Sequence, residues 1–133
     1  MPGTPLAKKL KLKPGARAAV INAPDGYLKD LAAQDVSVYT SLDGTYDWLQ
    51  IFVRNQAELA ALMGDVKAAL KPTGLLWLTF PKGSSGIQTD LTRDKGWDTV
   101  KDLKWITLVS INETWSAFSL RPPKPGETIR IRG

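Results

Sequence analysis

Apolar residues fall along this chain in short dense runs, and the runs switch between two periods. "ARAAVIN" (16–22) is a compact apolar stretch stopped by Pro24 and Gly26, which reads as a short buried strand. "DGYLKDLAA" (25–33) places Leu28, Leu31 and Ala32 at helical spacing. "VSVYT" (36–40) is β-branched and leads into the turn-rich "SLDG". "YDWLQIFV" (46–53) is apolar on both alternating faces except at Asp47 and Gln50, the pattern of a strand covered on both sides.

The clearest helix follows. Asn55 and Glu58 have the spacing of a capping box, and Leu59, Leu62, Met63, Val66 and Leu70 then recur on one face. Lys67 and Lys71 suit its C-terminal end, and Pro72 and Gly74 are its expected stop. "LLWLTF" (75–80) is another two-sided strand, and "DLTRDKGWDTVKDLK" (90–104) reads as a helix with a step at Gly96. "WITLVSI" (105–111) and "TWSAFSL" (114–120) have hairpin spacing around Asn112-Glu113. The final "RPPKPGETIRIRG" is an extended tail with a short edge strand at 128–131.

Strands alternating with helices imply a mainly parallel sheet with helices on its faces, closed by an antiparallel hairpin. The expectation is an α/β, small three-layer Rossmann-like sandwich of about six strands. One domain spans 1–133, with an irregular basic start (1–14) and a basic tail (122–133).

Three quotations carry a resemblance. "LKPGARAAVINAP", "YDWLQIFV" and "ALKPTGLLWLTFP" resemble the first strand, middle strand and "LkPGG" strand of class I S-adenosylmethionine-dependent methyltransferases. "LLWLTFPK" with its polar loop, and the hairpin "VSINETWSAFSLRP", resemble a bacterial family called domain of unknown function 3052. That second resemblance covers most of the chain and implies a fold, with no activity attached. The methyltransferase resemblance implies a cofactor at the loop after strand one and an acid after strand two. Here those positions read "NAPDGY", with one glycine and a proline, and "YTSLDG", where Asp43 stands far along the turn. The chain also lacks a further strand–helix unit of that fold. No cofactor is therefore expected, S-adenosylmethionine included.

Composition removes several chemistries. The 133 residues contain no histidine and no cysteine, which excludes Ser-His and Cys-His nucleophile pairs, disulfides and the usual zinc ligand sets. No metal site is expected. No apolar run approaches the ~20 residues of a membrane span, and a cytoplasmic location follows as the expectation. The net charge of +5 sits at the ends: residues 1–21 carry five bases and no acid. Basic ends allow weak non-specific attraction to nucleic acid or are simply solvated.

In parallel sheets ligands gather at the carboxyl ends of the strands. The loops there bring together Asn22, Asp25, Tyr27, Arg54, Lys82, Ser84, Ser85 and Asp90. "PKGSSG" suits either an anion-holding backbone concavity helped by Lys82 and the serines, or a turn capping the next helix. Arg54 suits either an anionic ligand or a salt bridge to Asp25 or Asp90. Among the five tryptophans, Trp48 and Trp77 belong to core patterns, and Trp115 is the best candidate to face a ligand, with a packing role expected first from its place in "WSA". The leading expectation is a non-catalytic binding domain for a small anionic ligand or a protein partner, with no catalytic residues. The alternatives are a small enzyme using Asp25, Asp90 and Lys82, and a nucleic-acid accessory protein acting through its basic ends.

Overall fold

The computed structural model describes residues 9–12, 15–27, 37–82, 103–111 and 113–122. Ser84, Ser85, Asp90, most of the expected 25–33 and 90–104 helices, and the tail from 123 lie outside the described residues.

Among the described residues six strands form one sheet: β1 (Arg17–Ile21), β2 (Ser37–Tyr39), β3 (Tyr46–Phe52), β4 (Leu70–Pro81), β5 (Lys104–Ser110) and β6 (Trp115–Arg121). A helix, α1 (Gln56–Ala69), links β3 to β4. The strand order is β2-β1-β3-β4-β6-β5. The first four strands are parallel to one another, and β6 runs antiparallel between β4 and β5. The hairpin thus wedges its second strand into the sheet and leaves its first at the edge. This is the α/β Rossmann-like arrangement that the alternating pattern implies.

The two-sided strands are covered on both faces. On one, Leu49, Ile51, Leu76, Leu78, Phe118 and Leu120 pack with Leu59, Met63, Val66 and Ala69 of α1. On the other, Ala18, Val20, Trp48, Phe52, Trp77 and Ala117 pack with Leu10, Leu12 and Tyr27. Within the basic start, residues 9–12 keep Lys9 and Lys11 exposed and bury Leu10 and Leu12. Leu10 is fully buried, and its carbonyl accepts both indole N–H groups, from Trp48 at 2.8 Å and Trp77 at 2.7 Å. Two buried tryptophan donors need an acceptor, and this strap supplies one for both.

The end of α1 differs from the expected stop. The helix finishes at Ala69, and Leu70 is already extended (φ −87°, ψ 122°), so the chain passes into β4 without a loop. Leu70 pairs with Tyr46 and Leu75 with Trp48, so residues 71–74 bulge opposite Asp47 alone. Pro72 is tolerated there because a bulge asks for no ladder hydrogen bond. Gly74 fits a tight place: a Cβ would sit 2.7 Å from Leu70 Cδ1, 3.0 Å from the Lys71 carbonyl and 3.1 Å from that of Tyr46. Lys71 serves no helix end; its ammonium pairs with Asp47 at 3.0 Å.

Candidate functional site

Strand order changes direction between β1 and β3, so their carboxyl ends open a crevice between divergent connections. β1 ends at Ile21, and Asn22 takes the left-handed conformation (φ 60°), which asparagine tolerates better than most residues. A turn follows, with Gly26 at φ 83° and the Tyr27 N–H donating to the Pro24 carbonyl at 3.1 Å. β3 ends at Phe52, after which Asn55 caps α1 by accepting from the Glu58 N–H at 2.9 Å. The reciprocal half of the cap is displaced by one residue: the Glu58 carboxylate accepts from the Arg54 N–H at 3.0 Å.

Asn22, Ala23, Pro24, Phe52, Arg54, Glu58 and Trp115 line a cleft of about 540 Å³ between these segments. Phe52 and Trp115 form an edge-to-face pair at 5.1 Å, giving an aromatic wall. Opposite chemistry comes from Arg54, whose side chain is 64% exposed and whose guanidinium pairs with Glu58 at 3.3 Å. An exposed i,i+4 pair contributes only about 0.5 kcal/mol, so an incoming anion can share or take the guanidinium at little cost.

The expected site is therefore divided. Asn22, Arg54 and Trp115 meet in the cleft, whereas Asp25 is exposed on the turn and does not line it. Tyr27 is corrected from crevice lining to core: it is buried, and its hydroxyl donates to Gln50 Oε1 at 2.6 Å. Lys82 does not line the cleft either. Its N–H is held by the Thr114 carbonyl, and its ammonium reaches away from β3, across β6, to Ser110 Oγ at 2.6 Å. Among the described residues Arg54 takes Glu58 as its partner in place of Asp25, and the alternative partner Asp90 lies outside them. Trp115 is 9% exposed, packed on Phe52 with an edge left to the cleft. Sequence reasoning missed Phe52 and the second role of Glu58. The Arg54-to-Glu58 spacing of four was the available signal.

The opposite, amino edge of the sheet holds a second polar cluster. Arg17 donates to the carbonyls of Thr45 and Asp43 at 2.9 and 2.6 Å, with its guanidinium over the rings of Tyr39 and Tyr46 at 4.5 and 4.6 Å. The Tyr46 hydroxyl in turn accepts from the Asp43 N–H at 2.9 Å. Asp43 is thereby anchored beside the first residue of β1, at the far end of the sheet from the cleft. The Asp47 carboxylate accepts from the Arg17 N–H at 2.9 Å and from Lys71 at 3.0 Å. The backbone hydrogen bond first, and Lys71 second, hold its pKa below the ordinary aspartate value.

This fold has solved counterparts. The chain is similar to a ribosomal protein L11 methylase from Lactobacillus delbrueckii subsp. bulgaricus (TM-score 0.59, 12% identity, 88% of this chain and 74% of that one). It is likewise similar to a SAM-dependent methyltransferase from Aquifex aeolicus (TM-score 0.57, 14% identity, 85% of each chain). A third is a fibrillarin/Nop5p complex, at TM-score 0.56 and 11% identity over 87% of this chain and 79% of that one. Identities this low establish a methyltransferase-like Rossmann skeleton and nothing finer. No family model and no curated protein matches the sequence. Among the described residues, no helix is long and apolar enough to cross a membrane.

Proposed function

We propose that this protein is a non-catalytic, cytoplasmic binding domain that takes a small ligand with an anionic group and a flat apolar body. The observation that carries this reading is the joining of an exposed guanidinium to an aromatic wall in one cleft at the sheet's switch point. Arg54 binds the anion, Trp115 and Phe52 pack the apolar body, and Asn22 supplies a polar contact at the rim. Membership of the bacterial domain of unknown function 3052 belongs to this reading, resting on "LLWLTFPK" and "WSA".

S-adenosylmethionine is the cofactor that the fold implies, and the described residues do not fit it. Pro24 removes a backbone donor from the loop after β1, and Asn22 stands in the left-handed position where glycine would leave the backbone bare. Asp43, the acid after β2, is anchored at the amino edge by Arg17. Methyl transfer accordingly forms no part of the proposed function.

Thermal-shift and calorimetric titrations with phenyl phosphate, inorganic phosphate and S-adenosylmethionine test the reading. Phenyl phosphate is expected to stabilise the protein more than inorganic phosphate, and Arg54→Ala to remove the effect. Stabilisation by S-adenosylmethionine would overturn the non-catalytic reading. Stabilisation by none of the three would overturn the small-ligand reading and favour a protein partner.

A further inference from the structure

β3 carries one residue that its packing alone does not explain. Gln50 lies between Trp48 and Phe52 on the strap-covered face of the sheet and is fully buried. A buried amide is costly when unsatisfied, and a leucine would fill the same space with no polar group to satisfy. Gln50 instead spends both ends of its amide. Oε1 accepts from the Tyr27 hydroxyl at 2.6 Å, and Nε2 donates to Thr79 Oγ1 at 3.0 Å. Thr79 is fully buried as well, on β4.

The three residues form a polar chain from the middle of the sheet to the loop at residues 22–27. The ring of Tyr27 stands edge-on to Phe52 at 4.6 Å and 71°, and Phe52 stands edge-on to Trp115 at 5.1 Å and 84°. One residue therefore joins two ladders: its hydroxyl is anchored by Gln50, and its ring supports the aromatic wall of the cleft. The loop that Tyr27 closes contributes Asn22, Ala23 and Pro24 to that cleft.

We infer that Gln50 and Tyr27 are the positioning residues of the cleft: Gln50 fixes the Tyr27 hydroxyl, and Tyr27 sets both the β1 loop and the Phe52–Trp115 wall. Neither touches the ligand. The ligand-affinity part of this inference rests on the cleft being the binding site; the part concerning loop and wall does not.

The test compares Tyr27→Phe, Gln50→Leu and the double variant with the wild type, using three readouts. These are stability, amide hydrogen exchange at residues 22–27 with the Trp115 indole NMR signal, and the Kd for phenyl phosphate. Tyr27→Phe takes the hydroxyl donor from Gln50 Oε1, and Gln50→Leu takes Gln50 from both the Tyr27 hydroxyl and Thr79 Oγ1, so each should lower stability. The double change removes the Tyr27–Gln50 pair, leaves only Thr79 Oγ1 without its donor, and should restore part of the stability. If the chain positions the cleft, the double variant keeps faster loop exchange, a shifted Trp115 signal and a Kd raised roughly tenfold, although part of its stability has recovered. Recovery of exchange and Trp115 signal along with stability would overturn the inference, leaving the chain as ordinary core hydrogen bonding. If phenyl phosphate fails to bind the wild type, the functional reading falls, while exchange and the Trp115 signal still decide the positioning role. Arg54→Ala separates the two: it should raise Kd without altering exchange at residues 22–27.

Discussion

The two ends of one sheet use their charges in opposite ways. At the amino edge, Arg17 is consumed by two carbonyls and two tyrosine rings, and Asp47 by a backbone N–H and Lys71. At the carboxyl edge, Arg54 has one carboxylate partner among the described residues and a cleft beside it. Both edges contain an arginine next to a strand end, so residue type alone does not separate structure from function. The separation comes from how many of the guanidinium's donors the fold itself satisfies.

Substitutions can break that contrast, beginning with the largest effect. Gly74→Ala pushes a methyl into Leu70 Cδ1, 2.7 Å away, and against two backbone carbonyls at 3.0 and 3.1 Å at the amino edge. A loss on the order of 3 kcal/mol in urea denaturation is expected. Arg17→Ala removes two hydrogen bonds and the cation–π stack, and about 2 kcal/mol of stability should go with them. A loss below about 0.5 kcal/mol would show that this edge is no more locked than the other.

Asp47 gives the contrast a pH signature. Its pKa is depressed in the folded state, so its contribution is present above its unfolded value, about 4, and is lost as pH falls through the folded value. Asp47→Asn should be less stable than wild type near neutral pH, by under about 1 kcal/mol because the pair is partly exposed. Its stability should also fall less steeply below about pH 4, as read from denaturation midpoints across that range. The smallest effect is expected at the other edge. Arg54→Ala should change unfolding free energy by less than about 0.5 kcal/mol, since it loses only an exposed pair. A much larger loss would make Arg54 structural and remove the contrast.

Much of the fold was legible because burial writes itself into sequence. β1, β3, α1 and the hairpin strands fall within a residue or two of the apolar runs that announce them, and the Asn55 cap sits where its spacing places it. The helix end is harder to read because Pro72 and Gly74 punctuate a helix and a strand bulge equally well. Gly74 is confined by Leu70 and Lys71 and also by Tyr46, a residue 28 positions away. The site was half legible. Asn22, Arg54 and Trp115 could be named from their places at strand ends, but no local pattern says that the Lys82 side chain crosses β6 or that Tyr27 turns inward. Gln50 was visible as a polar interruption in an apolar strand, with no sign of its partners.

What the sequence determined by itself is whatever depends on neighbours along the chain. This includes the elements, the two-sided strands, the absence of histidine and cysteine chemistry, and the weakened loop "NAPDGY". The tertiary structure decided everything that depends on partners across the chain. It closed the Leu10 carbonyl over Trp48 and Trp77, anchored Asp43 at the edge away from the cleft, and gave Arg54 to Glu58 and Lys82 to Ser110. Local patterning sets which face a residue can present. Only the packed sheet fixes which group waits there, because a buried polar atom takes whatever partner the fold brings within hydrogen-bonding distance.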